Sequence, residues 1–146
     1  MGRLRGFTLL ELMVVLVIMV LVYALAVPVI STVFPGVELK GATRQISAGL
    51  RKARSHAVTK KQESTLTLDV EQRRFSVTGD QKIYSIPPDL DLNLKTALSE
   101  QLGPGVGSIR FYPDGSSTGG SITLSSGELA YIVDVNWLTG QVTVNN

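Results

Sequence analysis

From Leu12 to Val37 the chain carries no charged side chain. The heart of this run, LMVVLVIMVLVYALAV, is apolar on every side of any helix it forms. The run is also longer than the roughly 20 residues that cross a hydrocarbon layer. A soluble helix of this kind needs wrapping on all sides, which a chain of 146 residues supplies poorly. Residues 7–37 are therefore expected to form a membrane-spanning helix or the core of a helical assembly, with a candidate break at Pro35-Gly36. Pro28 lies inside the run, removes one backbone donor and is expected to kink the helix.

Glu11 sits within this apolar surrounding. A carboxylate at mid-membrane costs on the order of 3 kcal/mol, less near an interface, and intramembrane ionisable groups usually have a partner. No Lys, Arg or His lies within helical reach on its C-terminal side. The partner must come from Arg5, from a neighbouring subunit or from a newly made amino terminus. Arg3 and Arg5 hold the short leading end on the cytoplasmic side, so the rest of the chain projects outward. A conventional secretory signal is the competing reading. Ala24-Leu25-Ala26 fits a small-x-small cleavage site before Val27, and that cut would release a soluble exported β domain. Against it, Glu11 interrupts the apolar stretch, and Pro28 would stand second in the mature chain.

The charge is segregated. Residues 1–37 carry net +1, residues 38–63 net +5 and residues 64–146 net −4. The basic segment lacks aromatic side chains on which bases stack and carries no nucleic-acid signature. A solvated helix face near an anionic membrane surface accounts for it, and no nucleic-acid partner is expected. Cysteine is absent, so there is no disulfide framework, thiolate metal site or cysteine nucleophile.

Leu39, Ala42, Thr43, Ile46, Leu50, Ala53 and Ala57 recur at helical spacing, and the basic residues lie mostly elsewhere. This predicts an amphipathic helix over residues 38–62, ending near Lys60, whose small apolar residues suit close packing on a sheet. From Ser64 the period becomes two. Leu66, Leu68 and Val70, then Phe75 and Val77, Leu90, Leu92 and Leu94, Ile109 and Phe111, Ile122 and Leu124, Tyr131, Val133 and Val135, and Val142 and Val144 alternate with polar residues, and Ile83 and Ile86 lie in another short strand. About eight short antiparallel strands separated by Gly, Pro and Asp turns are expected. Residues 63–146 thus form a β-rich head, and the fold class is α+β. Thr96 to Leu102 reads as a brief helical turn, and Gly103-Pro104-Gly105-Val106-Gly107 as a loop.

Phe111-Tyr112-Pro113-Asp114-Gly115-Ser116-Ser117-Thr118-Gly119-Gly120 reads as strand, turn and small-residue loop. It is not a phosphate cradle, because no Lys follows the glycines and no helix offers its N-terminus. One acid, Asp114, is weak support for calcium. His56 is the sole histidine, and no nucleophile elbow, metal-ligand spacing or paired-carboxylate motif stands out. An enzyme is not expected, nor are a metal or a cofactor.

Gly6-Phe7-Thr8-Leu9-Leu10-Glu11 resembles the class III signal of type IV pilins and pseudopilins: a short basic leader, then Gly, then Phe-Thr-Leu-x-Glu heading a long apolar helix. The resemblance implies that residues 1–6 are a leader. A prepilin peptidase cuts between Gly6 and Phe7 and methylates the new amine of Phe7, and the apolar segment is retained. It implies that Glu11 pairs with the amino terminus of Phe7 in an adjacent subunit and so sets axial register, and that Pro28 adds curvature to the stalk. The departure from the family pattern is Pro35-Gly36, which interrupts a single helix from Phe7 to Lys60.

The second block, with Phe111, Pro113, Asp114, Gly115, Thr118, Gly119 and Gly120, resembles the F-x-P-D-G-x-S-T-G-G-x-I block of the H-type pseudopilins, the general secretion pathway protein H family. FimT-like minor pilins of type IV pili share both blocks. The resemblances imply a hydrophobic helical stalk and an antiparallel, sandwich-like head. They imply a minor pseudopilin of a type II secretion system, anchored in the bacterial inner membrane with its head in the periplasm and placed near the tip of the pseudopilus. The implied partners are the major pseudopilin, other minor pseudopilins, the prepilin peptidase, the inner-membrane assembly platform and, before assembly, membrane lipid. A FimT-like type IV pilus subunit is the alternative.

Overall fold

The structure, a computed structural model, describes residues 7–32 and 35–146, and the side chains of 7–24 and 36–146. The chain forms two compact units, one up to residue 34 and one over Pro35–Asn146.

The first unit is α1, Leu9–Thr32. Thr8 caps it. The Thr8 hydroxyl accepts the Glu11 amide at 3.2 Å, and the Thr8 carbonyl accepts the amide of Leu12 at 3.2 Å. A side-chain oxygen here satisfies one of the amides that a helix start leaves without an intrahelical partner. Pro28 falls within the span of α1, but its side chain, and with it the expected kink, lies outside the described residues. Among the described residues no helix is long and apolar enough to cross a membrane; the described side chains of α1 end at Ala24.

The second unit begins with α2, Pro35–Lys60. At the candidate break, Pro35-Gly36, α2 starts on the proline itself. Proline is suited to the first helical position, where its missing N–H is not needed and its fixed φ already matches the helix. Residues 33 and 34 lie outside the described residues. Leu39, Ile46, Leu50, Ala53 and Ala57 are fully buried, and the Thr43 hydroxyl turns back to the Leu39 carbonyl at 2.8 Å.

Among the described residues nine strands follow, in two antiparallel sheets. The first sheet contains β1 (Ser64–Asp69), β2 (Arg74–Val77), β3 (Ile83–Ser85), β5 (Gln101–Gly103) and β6 (Val106–Phe111), in the order β3-β2-β1-β6-β5. The second contains β4 (Asp91–Thr96), β7 (Gly120–Ser126), β8 (Leu129–Val135) and β9 (Val142–Asn145), in the order β4-β7-β8-β9. In β1 the alternation expected from the sequence becomes geometry: Ser64, Leu66 and Leu68 are buried and their neighbours half-buried. Leu66 lies opposite Val77 and Leu68 opposite Phe75. The Phe75 ring stacks on Tyr84 at 4.8 Å between centroids.

The inner faces of both sheets pack on α2, so one core joins Leu50, Phe75, Ile109, Phe111, Ile122, Leu124 and Val133. Each such side chain contributes roughly 1.5–3 kcal/mol of burial. Gly49 lets the first sheet approach: a Cβ there would stand 2.9 Å from the Phe75 ring and 3.1 Å from Leu66.

The span after β4 differs from the sequence reading. A short 3-10 turn, Leu98–Glu100, is present as expected, but residues 103–107 are not a loop. Gly103 pairs with Val106 across a tight turn of β5 and β6. Glu100 is buried and accepts Arg110 Nε at 3.0 Å and the Ser108 hydroxyl, which pins the 3-10 turn to β6. Burial pushes the Glu100 carboxyl up, but the bonds from Arg110 and Ser108 outweigh it and hold the group below its ordinary value.

Candidate functional site

Two regions contain the residues singled out by sequence, and each is described by itself. In the first, Gly6 lies outside the described residues. Phe7 is 83% exposed. Glu11 is in the first turn of α1, exposed, and among the described residues has no ion-pair partner. Every described side chain from Leu9 to Ala24 is exposed. An all-apolar helix face exposed in this way has a strong hydrophobic incentive to be covered by lipid or by other helices. Sequence reasoning missed Thr8, although Thr-x-x-Glu before an apolar run is a readable capping signature.

In the second region, residues 112–119 carry the chain from the end of β6 in the first sheet to the start of β7 in the second. Phe111 is fully buried and roots the segment in the core. Pro113-Asp114-Gly115 make the turn: the Gly115 amide donates to the Tyr112 carbonyl at 2.9 Å, and the Tyr112 amide to the Ser116 carbonyl at 2.9 Å. Asp114 accepts both the amide and the hydroxyl of Ser116, at 2.9 and 2.6 Å, and the hydroxyl bond first, then the amide bond, holds its carboxyl below the ordinary value. Thr118 closes the loop on β6 by exchanging bonds with Arg110, its amide donating to the Arg110 carbonyl and its hydroxyl accepting the Arg110 amide. Gly119 is held by its amide to the Ser117 hydroxyl, at 3.1 Å. At Gly120 a Cβ would stand 2.7 Å from the Lys95 carbonyl, so β7 enters the sheet against β4 only without a side chain.

Three further groups complete the arrangement. The Ser117 amide donates to the Trp137 carbonyl at 2.8 Å. From α2, Arg54 donates through Nε to the Gly115 carbonyl at 3.3 Å and through Nη2 to the Thr139 carbonyl at 3.0 Å. Gly140 adopts φ +62°, and a Cβ on it would collide with the Gly115 carbonyl and the Arg54 guanidinium. The motif loop, the β8–β9 turn and α2 are therefore clasped at one point. Among the described residues no group of three or more His, Cys, Asp or Glu side chains is placed to hold a metal ion. The loop is a joint between sheets.

The family described as type II transport protein GspH matches residues 42–140. The chain belongs to the GspH family. The match begins within α2, stops before β9 and includes the whole clasp, from Arg54 to Gly140. The prokaryotic N-terminal methylation motif matches residues 1–27, ahead of the GspH region. The type II secretion system protein H of Xanthomonas campestris pv. campestris is 33% identical over 140 residues, covering 96% of this GspH-family chain and 82% of that protein. Among solved structures, the minor pseudopilin EpsH from the type 2 secretion system of Vibrio cholerae has a TM-score of 0.58 at 14% identity, covering 74% of this chain and 96% of that one. The type IV minor pilin FimU of Pseudomonas aeruginosa also has a TM-score of 0.58, at 13% identity, covering 75% of this chain and 89% of that one. The two structures share the α+β pilin-like fold with this GspH-family chain and do not separate the two machines. The sequence relationship does, and it favours type II secretion over the type IV pilus.

Proposed function

We propose that this chain is a minor pseudopilin held in the bacterial inner membrane by its apolar N-terminal helix, with its head in the periplasm, and built into the pseudopilus near its tip. The apolar run extends in sequence to Val37, past the described side chains of α1, and exceeds the roughly 20 residues that cross a bilayer. The observation that carries the reading is Glu11: a carboxylate without an ion-pair partner among the described residues, one turn into an exposed apolar helix, inside a matched N-terminal methylation motif. A prepilin peptidase cuts between Gly6 and Phe7 and methylates Phe7. The new amine then meets Glu11 of the adjacent subunit as an assembly platform moves subunits into the filament. Two charges buried among helices gain from pairing what each loses alone. The role is structural, in support of protein export across the outer membrane.

Intact-mass and N-terminal analysis of membrane-extracted protein, from host cells with and without the prepilin peptidase, tests this. A chain beginning at N-methylated Phe7 only when the peptidase is present is the expected result. A chain beginning at Val27 would overturn the reading and leave a soluble exported β domain. A type IV pilus subunit would be processed in the same way, so secretion and twitching of a deletion strain distinguish the two machines.

A further inference from the structure

A groove of about 620 Å³ lies between α2 and residues 139–142, which lead into the start of β9. Arg51, Arg54, Ser55 and Val58 form its helix wall, and Gln141 and Val142 line the opposite side. The clasp closes one end, since Thr139 and Gly140 also line it.

Its strand wall is unpaired. β9 is the last strand of the second sheet, so one of its edges has no neighbour. In an antiparallel ladder, residues alternate between bonding to the adjacent strand and pointing away from it. The Asn136 amide donates to the Gln141 carbonyl at the base of the hairpin. With Asp134 opposite Thr143 and Val133 opposite Val144, that bond fixes the parity. Thr143 and Asn145 bond toward β8, while the N–H and C=O of Val142 and Val144 face outward. These are the groups that an added strand takes up. β9 offers them over Val142–Asn145, about 13 Å of strand.

The helix wall is cationic and unneutralised. Arg51 lies two turns beyond Arg44 on the same face of α2, with Arg54 beside it. Among the described residues none of the three pairs with a carboxylate. Asp134, the one acid of β8, is exposed and alternates with the buried Val133 and Val135, so it faces away from α2. Arg54 uses Nε and Nη2 for the clasp, and among the described residues Nη1 has no bond. No aromatic side chain lines the groove on which a base could stack.

We propose that this groove receives an extended, carboxylate-bearing peptide segment of another protein, which pairs along β9 as a further strand and places its acids against Arg51 and Arg54. Backbone pairing supplies the register, and the arginines select acidic over basic segments. The proposal requires neither processing at Gly6 nor assembly through Glu11, so it stands or falls apart from the functional reading above.

The test uses the full chain in detergent and a fluorescent peptide alternating Glu and Thr. Comparators are the same peptide with alternate amides N-methylated, a Lys and Thr peptide, and a single-stranded oligonucleotide. The Glu and Thr peptide is expected to bind, and each peptide comparator to bind about tenfold more weakly or less. Binding is expected to slow hydrogen exchange at the Val142 and Val144 amides. Arg51→Glu is the diagnostic substitution, because Arg51 takes no part in the clasp. It should weaken binding by about tenfold while leaving the melting temperature unchanged. Equal binding of the N-methylated peptide, or unprotected Val142 and Val144 amides, would overturn strand addition. An oligonucleotide binding as tightly at the same salt would make the site a general polyanion surface and overturn the peptide assignment, and so would no binding of the Glu and Thr peptide at millimolar concentration.

Discussion

Single side chains in the head act through main-chain partners more than through each other. Arg54 is one case: it reaches two carbonyls that no other side chain serves among the described residues. Arg54→Met keeps most of the aliphatic stem and removes both donors. The expected loss is about 1–3 kcal/mol, read from the urea midpoint at unchanged slope. Asp80 is a charged case. The hydrogen bond from Lys52 at 2.7 Å, then the Lys82 amide and the Tyr84 hydroxyl, draws its carboxyl down to about 2. The folded value lies below the ordinary 3.8. The stabilisation is therefore present in full above the ordinary value and is lost as pH falls through the folded one. An NMR titration of Asp80 should give a midpoint near the lower value in the wild type and one displaced upward in Lys52→Met. An unmoved midpoint would refute the pairing.

At the scale of elements, two glycines of α2 separate helix propensity from packing. Gly41 has open space around its missing Cβ, so Gly41→Ala should raise stability by about 0.5–1 kcal/mol. Gly49 is equally unhelpful to the helix but lies under Phe75 and Leu66. Gly49→Ala should lower stability by about 1–3 kcal/mol, because the ring has to move. Thermal melts of the pair, taken together, test whether the close approach of the first sheet is what Gly49 is for. These elements also mark where sequence reading works. The stripe from Leu39 to Ala57 and the alternation through β1 were legible because burial on one face leaves a period behind. β5 was not: Gln101, Leu102 and Gly103 are all exposed, so pairing with β6 imposed no alternation, and Pro104-Gly105 looked like the middle of a loop. Arg54 was invisible for a different reason. Its partners are carbonyls 61 and 85 positions away, and no residue type signals a carbonyl that needs a donor. The motif loop was legible as a turn, but what it joins was not.

For the whole molecule, assembly and folding make separate demands. Removing one partner of a buried ion pair costs on the order of 3–5 kcal/mol. Glu11→Val subunits are therefore expected to be processed normally and retained in the membrane, yet to drop out of sheared filaments, as read by immunoblot of the two fractions. Incorporation at the wild-type level would remove Glu11 from assembly. The clasp has a consequence in time. Its three strands of chain are far apart in sequence, and long closures are formed only after nearer contacts have met their entropic cost. Local hairpins such as β1 with β2 and β7 with β8 can pair first; the guanidinium of Arg54 finds Gly115 and Thr139 only when both sheets already flank α2. Arg54→Met should then leave the folding rate nearly unchanged and put its whole effect on unfolding, a φ-value near zero. On that expectation the joint closes after the folding transition state, and its closure would distinguish a finished subunit from one still folding.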